Sequence, residues 1–206
     1  MSARRFLIPV LVAVSTFAWA QSNELGGVFG RTFVSDQGIV GATFFNPIVH
    51  FGNGFTMEAD YARHLTPENL IMLSFELPVA LSFDMDLASG DKSVPESYKF
   101  FFITPSARFN FFANTRVSPW VSGGGGYGRF AESSNSLLGP NTGPTGTNTG
   151  IVQFGAGLDA RVWTKFSIRG EVRDFWSGTP QLNVDTGKSR QHNFFVGAGI
   201  VWRFGK

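Results

Sequence analysis

Apolar and polar side chains alternate at every second position along most of this chain, the period that puts one set on each face of a β-strand. From Ile71 to Phe83 the odd positions are Ile71, Leu73, Phe75, Leu77, Val79, Leu81 and Phe83, against Ser74, Glu76, Ser82 and Asp84 on the even side. Phe55, Met57, Ala59 and Tyr61 oppose Thr56, Glu58 and Asp60, while Phe101, Ile103, Ala107, Phe109 and Phe111 oppose Thr104, Ser106, Arg108 and Asn110. The pattern returns at Val152–Val162 against Gln153, Asp159 and Arg161, at Phe166–Val172 against Ser167, Arg169, Glu171 and Arg173, and at Phe194–Phe204 against Asn193 and Arg203. With a first strand near Leu25–Ser35 and one through Trp120–Ala131, the count is about eight, the smallest usual size for a membrane β-barrel.

The connections alternate in length as well. Asp36–Gly54, Met85–Tyr98, Glu132–Asn148 and Ser177–Gln191 are long, whereas His64–Asn69, Ala113–Ser118 and Trp163–Lys165 are short. Outer-membrane barrels keep short turns on the periplasmic side and long loops outside. Ile39–Phe45 and Ile48–Phe51 are apolar enough to extend the first two strands into the first long gap.

Residues 1–20 have the parts of a cleavable secretory signal: Arg4 and Arg5, an apolar stretch from Phe6 to Val14, and Ala18-Trp19-Ala20 as a small-x-small site. The expected division is a signal peptide at 1–20 and one barrel domain at 21–206. The whole chain carries 17 Lys+Arg and 15 Asp+Glu. Loss of Arg4 and Arg5 with the signal leaves bases and acids equal in number, and no later segment concentrates Lys or Arg as a nucleic-acid footprint requires. There is no cysteine, hence no disulfide framework and no thiol chemistry.

Alternation fits a soluble barrel and a membrane barrel equally, so residue type has to assign the faces. The chain has five lysines, Lys92, Lys99, Lys165, Lys188 and Lys206, all in expected loops, turns, strand ends or the terminus. The charges within strands are Arg, Asp and Glu, a set suited to packed ion pairs. Glu58, Asp60, Glu76, Arg108, Asp159, Arg161, Arg169, Glu171, Arg173 and Arg203 are therefore assigned to the lumen, because charge left in lipid costs several kcal/mol, roughly 2–4 at mid-bilayer. The other face and its interfacial girdles take the aromatics, with Phe55, Tyr61, Trp120, Trp163, Phe166, Trp176, Trp202 and Phe204 as girdle candidates near strand ends.

These strands resemble the OmpA-like, OmpX-like superfamily of small outer-membrane β-barrel proteins, most clearly from Trp120 onward. The glycine-rich fifth strand with Tyr127, the Phe154–Arg161 strand (FGAGLDAR), the Arg169–Arg173 strand (RGEVR) and the closing Val196–Phe204 strand (VGAGIVWRF) carry the resemblance. It implies an all-β, transmembrane, antiparallel up-and-down barrel in the bacterial outer membrane. Its partners would be outer-membrane lipid, the barrel-assembly machinery and an extracellular ligand or surface, with no nucleic acid, and its state a monomer. Phe204 is followed by Gly205 and Lys206, which displaces the terminal aromatic that such proteins usually present for assembly. No peptidoglycan-binding domain is expected.

Candidate chemistry is sparse. Gly123, Gly125 and Gly128 satisfy G-x-G-x-x-G, but within a strand rather than between a strand and a helix, as dinucleotide binding needs. Gly139–Gly150 reads as a loop of turn formers. His50, His64 and His192 lack the spacing of a metal site, and neither metal nor cofactor is expected. Ser189 near His192 is the one hint of hydrolysis. The expectation is a non-enzymatic barrel with a plugged polar interior and four long extracellular loops. The alternatives are a narrow channel or OmpW-like transporter of small apolar molecules, and a lipid-modifying enzyme.

Overall fold

The computed structural model describes residues 22–205, so the signal-peptide assignment at 1–20 lies outside the described residues. The strands are β1 (Asn23–Phe33), β2 (Gln37–Gly38), β3 (Ile48–Phe51), β4 (Gly54–His64), β5 (Ile71–Ser89), β6 (Ser97–Ile103), β7 (Ser106–Phe111), β8 (Val117–Glu132), β9 (Asn135–Ser136), β10 (Gly139–Pro140), β11 (Thr147–Arg161), β12 (Phe166–Gly178) and β13 (Arg190–Phe204). Antiparallel pairing runs from β1 through β4 and β5 to β6 and β7, then β8, β11, β12 and β13, and β13 returns to β1. With β6 and β7 as two halves of one stave, the ring has eight staves and no free edge. Closure lets every wall N–H and C=O find a partner within the ring, the condition for a sheet to cross lipid.

Side-chain alternation sets the two faces. Along β12, Ser167, Arg169, Glu171, Arg173 and Phe175 are buried inward, while Phe166, Ile168, Val172 and Trp176 are exposed on the outer wall. Phe29, Phe75, Phe154, Val196 and Ile200 extend that wall on the other staves. A continuous apolar surface of this kind is at home in hydrocarbon, not in water. It makes the chain a transmembrane barrel.

Two irregularities depart from simple alternation. The β5 pairing shifts between Ser82 and Met85, so even positions point inward up to Ser82 and odd ones from Met85 onward. A bulge adds one unpaired residue and reverses the parity beyond it. β5 therefore continues to Ser89, where a loop is expected from Met85, and Met85 and Leu87 become core residues. The Ile48–Phe51 segment does not prolong a stave. It forms β3, which pairs with this extension of β5 and with β2.

The second irregularity divides β6 from β7 at Thr104–Pro105. Proline has no N–H to give to a ladder, and the break lies against Gly124 and Gly126 of β8. A Cβ on Gly124 would strike the Pro105 carbonyl oxygen, and one on Gly126 the Ile103 carbonyl oxygen. The glycine run thus lets two backbones meet at a kink and has no phosphate-cradling geometry. A third close approach closes the ring, where a Cβ on Gly199 would run into the Gly27 carbonyl oxygen across the β1–β13 seam.

That seam gives a paired test. Gly27 itself faces open space, with nothing within 4 Å of an added Cβ. Gly27→Ala should still yield the compact, fast-migrating band of a folded barrel on unheated gels, whereas Gly199→Val should lose it, leaving only the unfolded mobility.

Candidate functional site

Strand parity delivers charged and polar side chains from every stave into the half of the lumen near the short turns. Glu24 comes from β1, Glu58, Asp60 and His64 from β4, Glu76 from β5, Arg108 and Asn110 from β7, Trp120 and Ser122 from β8, Asp159 from β11, Arg169, Glu171 and Arg173 from β12, and Arg203 from β13. Arg169 is held most completely. Its Nε and Nη2 donate to the two Asp159 oxygens at 2.7 and 2.9 Å, and Nη1 donates to Asp60 Oδ2 at 2.8 Å. Arg173 reaches Glu76 at 2.9 Å, Glu58 at 3.0 Å and Glu171 at 3.3 Å. Arg108 donates to Glu24, lies 3.4 Å from Asp60 and 3.5 Å from Glu76, and bonds Asn110 at 3.0 Å. Arg203 closes the ring with Glu24 at 2.9 Å.

Trp120 is the hub. The guanidinium carbons of Arg108, Arg169 and Arg173 lie 5.8, 5.1 and 5.0 Å from its ring centroid, and its Nε1 donates to Asp159 at 3.3 Å. Arginine suits this place because its rigid fork serves two carboxylates while its flat face rests on an aromatic ring. At the short-turn mouth the chain of contacts continues through His64, 3.1 Å from Glu24, and through Glu68, 3.1 Å from Arg161.

Glu58, Asp60, Glu76, Arg108, Asp159, Arg169, Glu171 and Arg173 lie together in this cluster, with Arg203 at its edge. Arg161 stands apart at the mouth, half-buried and bound to Glu68 and the Ala113 carbonyl. Phe55, Tyr61, Trp163, Phe166, Trp176 and Trp202 face outward, and Phe204 stacks on Trp202 at 4.8 Å. Trp120 is the correction: expected in the girdle, it is 1% exposed inside the lumen. It shares the inward parity of Ser118 and Ser122, and three arginines offer its ring more than lipid does. Glu24 was outside the candidate set because the first strand was expected to begin near Leu25. Asn110 and Gln153, placed on the polar face but uncharged and so outside the ion-pair set, also point inward, as does His64, which was expected in the short turn.

The expected polar filling holds for only half of the lumen. Toward the long loops the inward side chains include Val28, Met85, Tyr98, Phe100, Phe102, Phe130, Ile151, Phe175 and Phe195, which form one apolar cluster with Val49, Leu87, Val94 and Leu182 from the loop region, beside the smaller polar group of Thr32, Thr56, Glu132, Ser177, Gln191 and Asn193. Phe100 and Phe102 stack at 4.2 Å, and Phe102 meets Phe130 edge-on at 5.6 Å. Above this core the loops bind one another. Val40 N–H donates to Asp185 O, Leu137 N–H to Val94 O, and Asn183 Nδ2 to both Ser93 O and Asn141 Oδ1. Thr186 Oγ1 donates to Gln37, whose Nε2 donates to Gln191.

Among the described residues no group of three or more His, Asp or Glu side chains is placed to hold a metal ion. His50 pairs with Asp36 at 2.7 Å in the first long loop, and His192 with Asp174 at 2.7 Å on the outer wall. Among the described residues no hydrogen bond joins Ser189 to His192.

The network's cooperativity can be measured. Removing one partner of a buried pair strands the other charge and costs about 3–5 kcal/mol. Arg169→Ala should lose about that much in urea unfolding from lipid vesicles, and adding Asp159→Ala should cost clearly less than the sum of the two single changes.

No family model matches the sequence, and no curated protein matches it. The fold does match solved structures. The outer membrane protein OprG from Pseudomonas aeruginosa is similar at a TM-score of 0.60 and 12% identity, over 91% of this chain and 97% of that one. AlkL, an outer membrane protein, gives 0.55 and 18%, over 90% of each chain. The N-terminal β-barrel domain of Pseudomonas aeruginosa OprF gives 0.54 and 13%, over 89% of this chain and 97% of that one. The closed ring, the apolar wall and these likenesses agree that the chain has the fold of the small outer-membrane β-barrels.

Proposed function

We propose that the protein is a non-enzymatic, monomeric resident of the bacterial outer membrane that presents four interlocked loops to the outside on a plugged, rigid barrel. The observation that carries this reading is that every stave contributes to the buried cluster around Trp120, so the lumen is crossed by ion pairs from wall to wall. An eight-stranded interior has room for its own side chains and little more, and Arg108, Arg169 and Arg173 are fully buried in it. The inter-loop hydrogen bonds favour a fixed outer surface suited to contact with a ligand or another cell. Lipid and the assembly machinery are its expected partners within the membrane.

The apolar half of the lumen favours a second reading, in which small apolar molecules enter from the loop side and leave sideways into the membrane above the charged cluster. Reconstituted in planar bilayers, the protein should give no steady ion conductance under the first reading. Discrete, persistent conductance steps would contradict the plug. Faster uptake of a small alkane by cells making the protein would favour the second reading over the first.

A further inference from the structure

The outer wall is largely apolar; apart from Arg31 of β1, Arg63 of β4 and Asp84 and Asp86 of β5, its polar and charged strand residues gather in a strip near the long-loop ends of β8, β11, β12 and β13. Register places Tyr127 of β8 beside Gly150 of β11, and Gly178 of β12 beside Arg190 of β13. The gap between β11 and β12 is spanned by Gly178 N–H, which donates to Thr149 at 2.7 Å. Gly150 faces outward with nothing within 4 Å of an added Cβ, so it forms a low floor. Tyr127 stands on one side, its hydroxyl donating to Asn148 at 2.7 Å. Trp176 stands on the other, with the Arg190 guanidinium 4.8 Å over its ring and Arg190 Nη1 donating to the Gly150 carbonyl at 3.4 Å. Next along β8, Arg129 pairs in register with Asn148, and Lys99 of β6 lies diagonally across from it on the same outward face. Among the described residues, neither Arg129 nor Lys99 has a hydrogen-bond or ion-pair partner. The one acid on the outward faces of these four strands, among the described residues, is Asp174, and it is occupied by His192 at 2.7 Å.

We infer that this saddle binds the headgroup of a phosphorylated glycolipid in the outer leaflet. The flat faces of a sugar ring fit the glycine floor between Tyr127 and Trp176. Arg129 and Arg190 flank it as phosphate partners, and guanidinium is the group of choice for that contact. The unpaired Arg129 and Lys99 side chains on a lipid-facing wall would be a liability in hydrocarbon. Opposite a layer of phosphates they become attractive. The inference does not depend on what the loops contact, so it can fail or hold separately from the proposed function.

Native mass spectrometry of the detergent-solubilised full chain, titrated with lipid A, tests it. The protein should retain one lipid A per barrel. Arg129→Ala/Arg190→Ala and, independently, Gly150→Phe should each weaken retention about tenfold or more, equivalent to about 1.4 kcal/mol, while keeping the folded gel mobility. Dephosphorylated lipid A should bind as weakly as the double variant. Equal retention by all three proteins would overturn the inference. So would equal retention of phosphatidylglycerol, or full displacement by inorganic phosphate, since either would mean that anionic charge alone is recognised.

Discussion

The structure depends on keeping charge out of the bilayer. The ring closes through strands whose alternate side chains must face either lipid or lumen, and charges at the level of Trp120 therefore have one place to go, while those near the loop ends can face outward. Once inside, six carboxylates and four arginines would repel or stand desolvated unless each found partners. The forks of Arg108, Arg169 and Arg173 around Trp120 supply them. Replacing such pairs by apolar residues can be neutral or stabilising. The advantage of the pairs is that they specify one stave arrangement, because an ion pair across the lumen forms only when both strands are in register.

The apolar half follows from the same rule with the sign reversed. Toward the loops the lumen is lined mainly by packed aromatics, with Thr32, Thr56, Ser177 and Asn193 hydrogen-bonded among them, and this core runs on into Val49, Leu87, Val94 and Leu182. A polar lower storey fixes the staves, and an apolar upper one seats the loops on top of them. Loop segments rich in Gly, Pro, Thr and Asn gain a defined position this way. Asn183, for example, ties the fourth long loop to the second and third.

Much of this was legible because period-two alternation is a local signal. The staves and the long and short connections come from parity and its interruptions, and the inward placement of Asp60, Arg169 and Arg173 from parity together with the cost of charge in lipid. What was not legible depends on tertiary events. The slip between Ser82 and Met85 reverses parity without any glycine or proline to announce it. Trp120 looked like an interfacial aromatic because hydrophobicity and position agreed, yet its partners are three arginines distant in sequence. Glu24 was lost through a strand start misplaced by two residues. The pairing of β3 with the tip of β5 required the fold of both loops.

The most direct test of a charged lumen behind an apolar wall uses the tryptophans as depth and face reporters. Single-tryptophan proteins retaining Trp120, Trp163 or Trp202 can be reconstituted in vesicles of brominated lipid, and the quenching of their fluorescence compared. The account predicts strong quenching for Trp163 and Trp202 and little for Trp120, shielded by the wall and its guanidinium neighbours. Quenching of Trp120 as strong as that of the other two would place it in the lipid and contradict the network built around it.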